Sequence, residues 1–178
     1  AQLITALEND QADASLVAAP VPALEWLSQQ AGPFRIAAYG DDSLLPPNTA
    51  MLYGLEDIRG YDSIIPRQYV QFMERAYPQW GLAYNRINAI PAQTPDALDS
   101  PLLDMLNVRY VLSKVPIERP GYALVYDGEI LIYENLDALP RAYTVPHARV
   151  IADEGERLAA LATLDPRREV IIEQPLDD

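Results

Sequence analysis

The chain has 178 residues, 26 acidic against 13 basic side chains, a net charge of −13 at pH 7, no cysteine and one histidine. That length suits one well-buried domain, and the charge excludes nucleic acid, because no Lys/Arg cluster offers its phosphates a local exception. Thiolate chemistry, disulfides and cysteine-ligated metals are excluded by composition, and with Lys114 the only lysine there is no polybasic patch for a membrane surface.

In chain order, residues 1–20 are Ala-rich and weakly patterned, which predicts a partly ordered lead-in to a single α/β domain over 21–178. The opening "AQLITALEND" has neither a basic n-region nor an apolar h-region, and it starts with Ala; a processed chain or a piece of something longer is expected. "PALEWLSQQAGP" (22–33) predicts a short helix, started by Pro22 and stopped by Gly32-Pro33. "FRIAAYG" (34–40) follows as a buried strand closed by glycine. Residues 41–66 form a long Pro-, Gly- and Asp-rich stretch in which "MLY" reads as a brief strand. "PRQYVQFMERAYP" (66–78) is the clearest helix, with Tyr69, Phe72, Met73 and Ala76 on one face; residues 79–99 are irregular.

"SPLLDMLNVRYVLSK" (100–114) predicts a short helix begun by Ser100 and Pro101, a left-handed turn at Asn107, then a strand. "YALVYDGEILIYEN" (122–135) is a hairpin expected to turn on Asp127-Gly128 in a type I′ geometry with positive φ. "RAYTV" reads as a further strand, "DEGERLAALATL" (153–164) as a helix with an Asp153/Glu156 capping box, and "EVIIE" as the last strand. The predicted fold is α/β (α+β): a mixed, mostly antiparallel sheet with helices packed on it, built from strands near 34–39, 108–113, 122–126, 130–134, 141–146 and 169–173.

Chemistry-bearing residues concentrate in "NTAMLYGLEDIRGYD" (48–62). Tyr61-Asp62 places a phenol beside a carboxylate, as sugar-binding sites do, and Arg59 could clamp an anion. Equally, Gly54 and Gly60 could allow tight turns, Tyr53 and Tyr61 could pack on the core, and Asp62 could cap the next helix. Asp41-Asp42-Ser43 follows a strand and a glycine, where α/β folds often place ligands, but it also fits ordinary turn chemistry. Arg109 sits inside an apolar strand, where alternation points it opposite to Val108 and Tyr110; if buried it needs Asp62, Glu134 or Asp104 as partner. Glu134, Asn135 and Arg141 cluster around the turn of "YENLDALPRAY". The skew of 11 tyrosines against 2 phenylalanines suits a sugar- or partner-binding surface and half-buried strands alike.

Three stretches, "NTAMLYGLEDIRGYDSIIPRQYVQFM" (48–73), "LLDMLNVRYVLS" (102–113) and "YENLDALPRAYTV" (133–145), together resemble the soluble extracytoplasmic portion of the YfhO-like bacterial membrane proteins. These are polytopic proteins related to the type-C, lipid-phosphate-sugar-dependent glycosyltransferases. The resemblance implies a parent that spans the membrane many times and holds this domain on the outer face of the cell membrane. It implies as partners the membrane-embedded remainder and a carbohydrate or cell-envelope glycopolymer. No cofactor and no metal are expected from the sequence. No catalytic residue carries over, because the matching blocks are not the family's catalytic motif. Tyr53, Arg59, Tyr61, Asp62, Arg109, Glu134 and Arg141 are the candidate ligand contacts. Two alternatives stand beside this reading: a stand-alone carbohydrate-active enzyme using Asp41, Asp42 and Asp62, and a protein-interaction module. Convergence of the three aspartates in one pocket would favour the enzyme; an open groove lined by Tyr53, Tyr61 and Arg59 would favour sugar binding.

Overall fold

The structure, a computed structural model, describes residues 21–79 and 85–175 apart from the Asp42 side chain; the lead-in expected over 1–20 lies outside that range. The fold is α+β. Among the described residues, four α-helices, α1 (Pro22–Ser28), α2 (Arg67–Ala76), α3 (Pro101–Met105) and α4 (Glu154–Ala160), accompany nine strands. The strands are β1 (Arg35–Tyr39), β2 (Glu56–Asp57), β3 (Gly60–Tyr61), β4 (Arg86–Ile87), β5 (Val108–Ser113), β6 (Tyr122–Asp127), β7 (Leu131–Asn135), β8 (His147–Val150) and β9 (Glu169–Ile172). The central sheet is mixed, in the order β2-β1-β5-β7-β6. β1 runs parallel to β2 and β5, while β7 is antiparallel to β5 and β6. Among the described residues no helix is long and apolar enough to cross a membrane.

Both faces of the inner strands β1, β5 and β7 are covered, and these strands are accordingly apolar over most of their length. One core layer joins Ala37, Tyr39, Val108, Val111 and Tyr133 to Val70, Met73, Leu102 and Leu103 of α2 and α3. The other joins Ile36, Tyr110, Leu112 and Ile132 to Ala23, Leu24 and Leu27 of α1. Val108 and Tyr110 therefore lie in different layers, against strict alternation. The cause is a bulge: Arg35 pairs with Val108 but Ile36 with Tyr110, so Arg109 is an extra residue with no counterpart on β1.

Several expectations hold. Asn107 takes the left-handed conformation, φ 60°, between α3 and β5, and Gly40 closes β1 at φ 86°. Asp153 caps α4 by accepting a hydrogen bond from the Glu156 N–H at 2.9 Å. Three half-buried or buried tyrosines account for much of the aromatic skew. Tyr69, Tyr77 and Tyr122 donate their hydroxyls to the Ile58, Asn88 and Leu98 carbonyls at 2.6–2.7 Å, tying irregular loops to the core. Burial raises all three hydroxyl pKa values, that of Tyr69 to about 12.

Four expectations are corrected. "MLY" lies in a 3₁₀ helix, Thr49–Tyr53, bounded by left-handed Asn48 and Gly54 rather than in a strand. The hairpin is present, but neither Asp127 nor Gly128 has positive φ. Asp127 pairs with Leu131 across a three-residue loop, and the Glu129 carboxylate accepts from the Ala23 N–H and the Tyr126 hydroxyl, both at 2.8 Å. Gly128 instead lies close under Tyr126: a Cβ there would be 2.6 Å from the ring, so a larger residue requires that side chain to shift. Residues 141–146 form no strand: the segment is bracketed by Pro140 and Pro146, which lack donors, and β8 begins only at His147. β8 and β9 also stay out of the central sheet and make a separate two-stranded parallel pair joined through α4.

Candidate functional site

The 48–62 segment folds back on itself and builds a groove of about 530 Å³ beside the β2 edge of the sheet. Its floor is apolar and buried, with Leu55, Ile58 and Ile87, and into that floor is set an ion pair, Asp57 with Arg59. The Arg59 Nη2 lies 2.7 Å from Asp57 Oδ2, with side-chain exposures of 0% and 4%. Arg59 also donates to the Leu45 carbonyl at 2.9 Å, and its own N–H reaches Asp57 Oδ1 at 2.8 Å. A cation this deep requires a carboxylate of its own, so Arg59 does clamp an anion, but one belonging to its own chain.

The rim is organised differently. Asn48, at φ 70°, donates its Nδ2 to the Tyr61 carbonyl at 2.5 Å and accepts from the Tyr61 N–H at 3.3 Å. That two-point clip imitates a strand pairing and fixes the Tyr61 backbone from one side, while β4 pairs it from the other. Tyr61 remains 54% exposed, with the guanidinium of Arg86, its cross-strand neighbour, 5.8 Å from the ring centroid. Asp62 is exposed; its N–H binds the Asn85 carbonyl and one carboxylate oxygen accepts from the Ile64 N–H at 3.2 Å. Gly60 does not use positive φ; it sits in β3 instead. Met51, 71% exposed, completes the mouth.

Of the remaining candidates, Arg141 and Tyr53 adjoin this groove, and Arg109 and Glu134 do not line it. Arg141 pairs with Glu56, which lines the groove and also lies 3.6 Å from Arg35. The hydrogen bond from Arg141, with the charge of Arg35, holds the Glu56 carboxyl below its ordinary range. Tyr53 lines a neighbouring groove of about 360 Å³ with Gln30, Gly32 and Phe34, and the two grooves share Leu55 and Glu56. Arg109 and Glu134 form a separate pair, 2.9 Å apart and partly exposed, and Arg109 also reaches the Ala31 carbonyl at 3.2 Å.

Asp41 does not meet Asp62. It lies beyond the other end of β1, where it accepts from the Ser43 N–H and hydroxyl and pairs with Lys114 at 3.0 Å. Those bonds, led by Ser43, lower its pKa to about 2. The part assigned to the Asp42 side chain lies outside the described residues.

The three stretches that carry the family resemblance interlock. Asn135 donates to Asp104 Oδ1 at 2.7 Å and to the Val108 carbonyl at 3.1 Å. Asn107 donates to the Leu139 carbonyl at 2.8 Å, and the Leu139 N–H returns to the Asp104 carbonyl at 3.0 Å. Arg141 then reaches across to Glu56 in the first stretch. Sequence reasoning missed three members of the site: Asp57, Asn48 and Arg86. Only Asp57 left a readable sign, a carboxylate two residues before Arg59. No protein-family model, curated protein or solved structure matches this chain.

Proposed function

We propose that this chain is a ligand-contacting lobe of a larger, YfhO-like membrane protein, held on the extracytoplasmic face, and that its groove takes a saccharide of the cell envelope. The observation that carries the reading is Tyr61: an exposed ring on a backbone clipped from two sides, beside an exposed carboxylate and above an apolar-floored groove. Saccharides are bound by such surfaces because the C–H face of a sugar stacks on an aromatic ring while its hydroxyls meet carboxylates and amides. The interlocking of the three resembling stretches supports the family part, since their order and spacing correspond to one hydrogen-bonded unit. The domain contacts and orients the acceptor in this reading, and the chemical step belongs to the membrane-embedded remainder. No cofactor or metal enters it. The enzyme alternative gains nothing from Asp41, which is committed to Ser43 and Lys114 away from the groove.

The test is a titration of the ¹⁵N-labelled domain with neutral, amino and uronic oligosaccharides. Amide shifts at Asn48, Tyr61, Asp62 and Arg86 that vanish in Tyr61→Ala support the reading. Hydrolysis or transfer by the isolated 178-residue chain that requires Asp62 would overturn it.

A further inference from the structure

The 3₁₀ helix Thr49–Tyr53 is a partition between two grooves. Asn48, Ala50 and Met51 line the groove that holds Tyr61, while Tyr53 and Gly54 line the smaller one. Past the helix the partition ends, and Leu55 and Glu56 line both grooves. Leu55 is buried and gives them a common floor, and the Glu56 side chain, half exposed, stands at their junction. Left-handed Asn48 and Gly54 fix the two ends of the partition, so its course is set by backbone. The far wall of the smaller groove comes from the end of α1 and the turn that follows it. At about 530 and 360 Å³, each groove has by itself the size of a small-molecule site, roughly 300–1,000 Å³.

The smaller groove repeats the chemistry of the larger. Its apolar wall is aromatic: Tyr53 and Phe34 are half-buried against the core layer under α1, and Phe34 meets Tyr110 edge-on with centroids 4.9 Å apart. Its polar side chains are left as acceptors. Gln30 donates its Nε2 to the Trp26 carbonyl at 2.8 Å, and its Oε1 takes no bond among the described residues. Ser28 donates its hydroxyl to the Glu25 carbonyl at 2.8 Å, which leaves the oxygen able to accept. Glu56 is held from one side only. The hydrogen bond from Arg141 and the nearest approach of Arg35 both go to Oε2, so Oε1 is unengaged among the described residues. A row of acceptors that passes from one groove to the other through a shared carboxylate suits a chain of hydroxyl donors better than a single ring.

We propose that the two grooves are adjacent subsites of one cleft for a linear oligosaccharide of at least two units, with Tyr61 anchoring one unit and Glu56 Oε1 accepting a hydroxyl at the junction. The proposal rests on the reading of the larger groove as a saccharide site. It is tested by titrating the ¹⁵N-labelled 178-residue chain with the monomers, dimers and tetramers of glucose, N-acetylglucosamine and galacturonate. For the series that is bound, the monomer shifts the amides of Tyr61 and Asp62. The dimer and tetramer extend the shifts to Gln30, Gly32 and Gly54 and bind about tenfold or more tightly, since the second contact is made within one complex. Ser28→Trp, which plugs the smaller groove from an exposed position, brings the ratio of tetramer to monomer affinity towards one. Glu56→Ala lowers the same ratio and removes only a surface pair. Equal affinity for monomer and tetramer, with shifts confined to the larger groove, overturns the proposal and leaves the saccharide reading standing. So does a ratio unchanged in both variants, or shifts at Gln30 and Gly32 that persist in Tyr61→Ala, which would make the grooves independent sites. Absence of any shift at Tyr61 across all three series overturns the reading and the proposal together.

Discussion

Two guanidinium–carboxylate pairs, both on cations that stand out in the sequence, behave as opposites. Asp57–Arg59 at the groove floor and Arg109–Glu134 across β5 and β7 have nearly the same contact distance, 2.7 and 2.9 Å. The Asp57 and Arg59 side chains are 4% and 0% exposed, against 38% for Arg109 and 26% for Glu134. Removing one member of the first leaves a charge in a low-dielectric floor; removing one member of the second leaves a charge that water reaches. Burial rather than contact distance sets what each pair is worth. Neither guanidinium is held out for a ligand. The group that is held out is the Tyr61 ring, and its neighbours work to keep it there.

The strongest way to break that comparison is Arg59→Ala, expected to cost about 3–5 kcal/mol by urea unfolding, because Asp57 is left buried without its partner. The double change Asp57→Leu with Arg59→Met is expected to recover most of the loss, as replacing both members of a buried pair commonly does. A loss below ~1 kcal/mol for Arg59→Ala, the range of surface pairs, would erase the contrast. Next in size is Asn107→Ala, which forces an alanine to φ 60° and leaves the Leu139 carbonyl without its donor; about 1–3 kcal/mol is expected. Asn107→Gly relieves the backbone part alone, so its melting temperature falls between alanine and wild type.

The Arg109–Glu134 pair is measured by a double-mutant cycle with Arg109→Ala and Glu134→Ala. A coupling of about 1 kcal/mol or less is expected, shrinking as salt is raised. A coupling as large as the Asp57–Arg59 effect would show that exposure is not the deciding variable. The mildest test uses Asp104, whose carboxyl pKa is raised chiefly by burial. A raised folded-state value means the charged form opposes folding, so Asp104→Asn raises the melting temperature at pH 7. That gain shrinks as pH falls through the folded-state value and is gone below the ordinary value of 3.8. A gain that persists at pH 3 would contradict the burial argument.

Much of the framework was legible because its signals are local. Pro22 with Gly32-Pro33 for α1, the period of Tyr69, Phe72, Met73 and Ala76 for α2, and Ser100-Pro101 ahead of α3 are all read within a few residues. The hairpin's existence was equally local, although its turn was not: the chain folds Gly128 against the Tyr126 ring and anchors Glu129 on Ala23, a contact across 106 positions. The same non-locality hid the bulge at Arg109, since only the pairing with β1 reveals that one residue is extra. It also hid the separation of β8 and β9, whose residues have strand character without any sign of which sheet they join. Within the site, Arg59, Tyr61 and Asp62 were named together and do line one groove. The distinction between a buried Arg59 and an exposed Tyr61 depends on Asn48 and Arg86, which lie 13 and 25 positions away from Tyr61 in sequence.

The central claim is that the 48–62 segment is a rigid mount for one available aromatic ring. It is tested most directly by measuring saccharide affinity and melting temperature side by side for Tyr61→Ala. The account predicts that binding is lost while stability stays within about 0.5 kcal/mol of wild type, as for an exposed side chain. Undiminished binding, or unfolding comparable to that of Arg59→Ala, would contradict it.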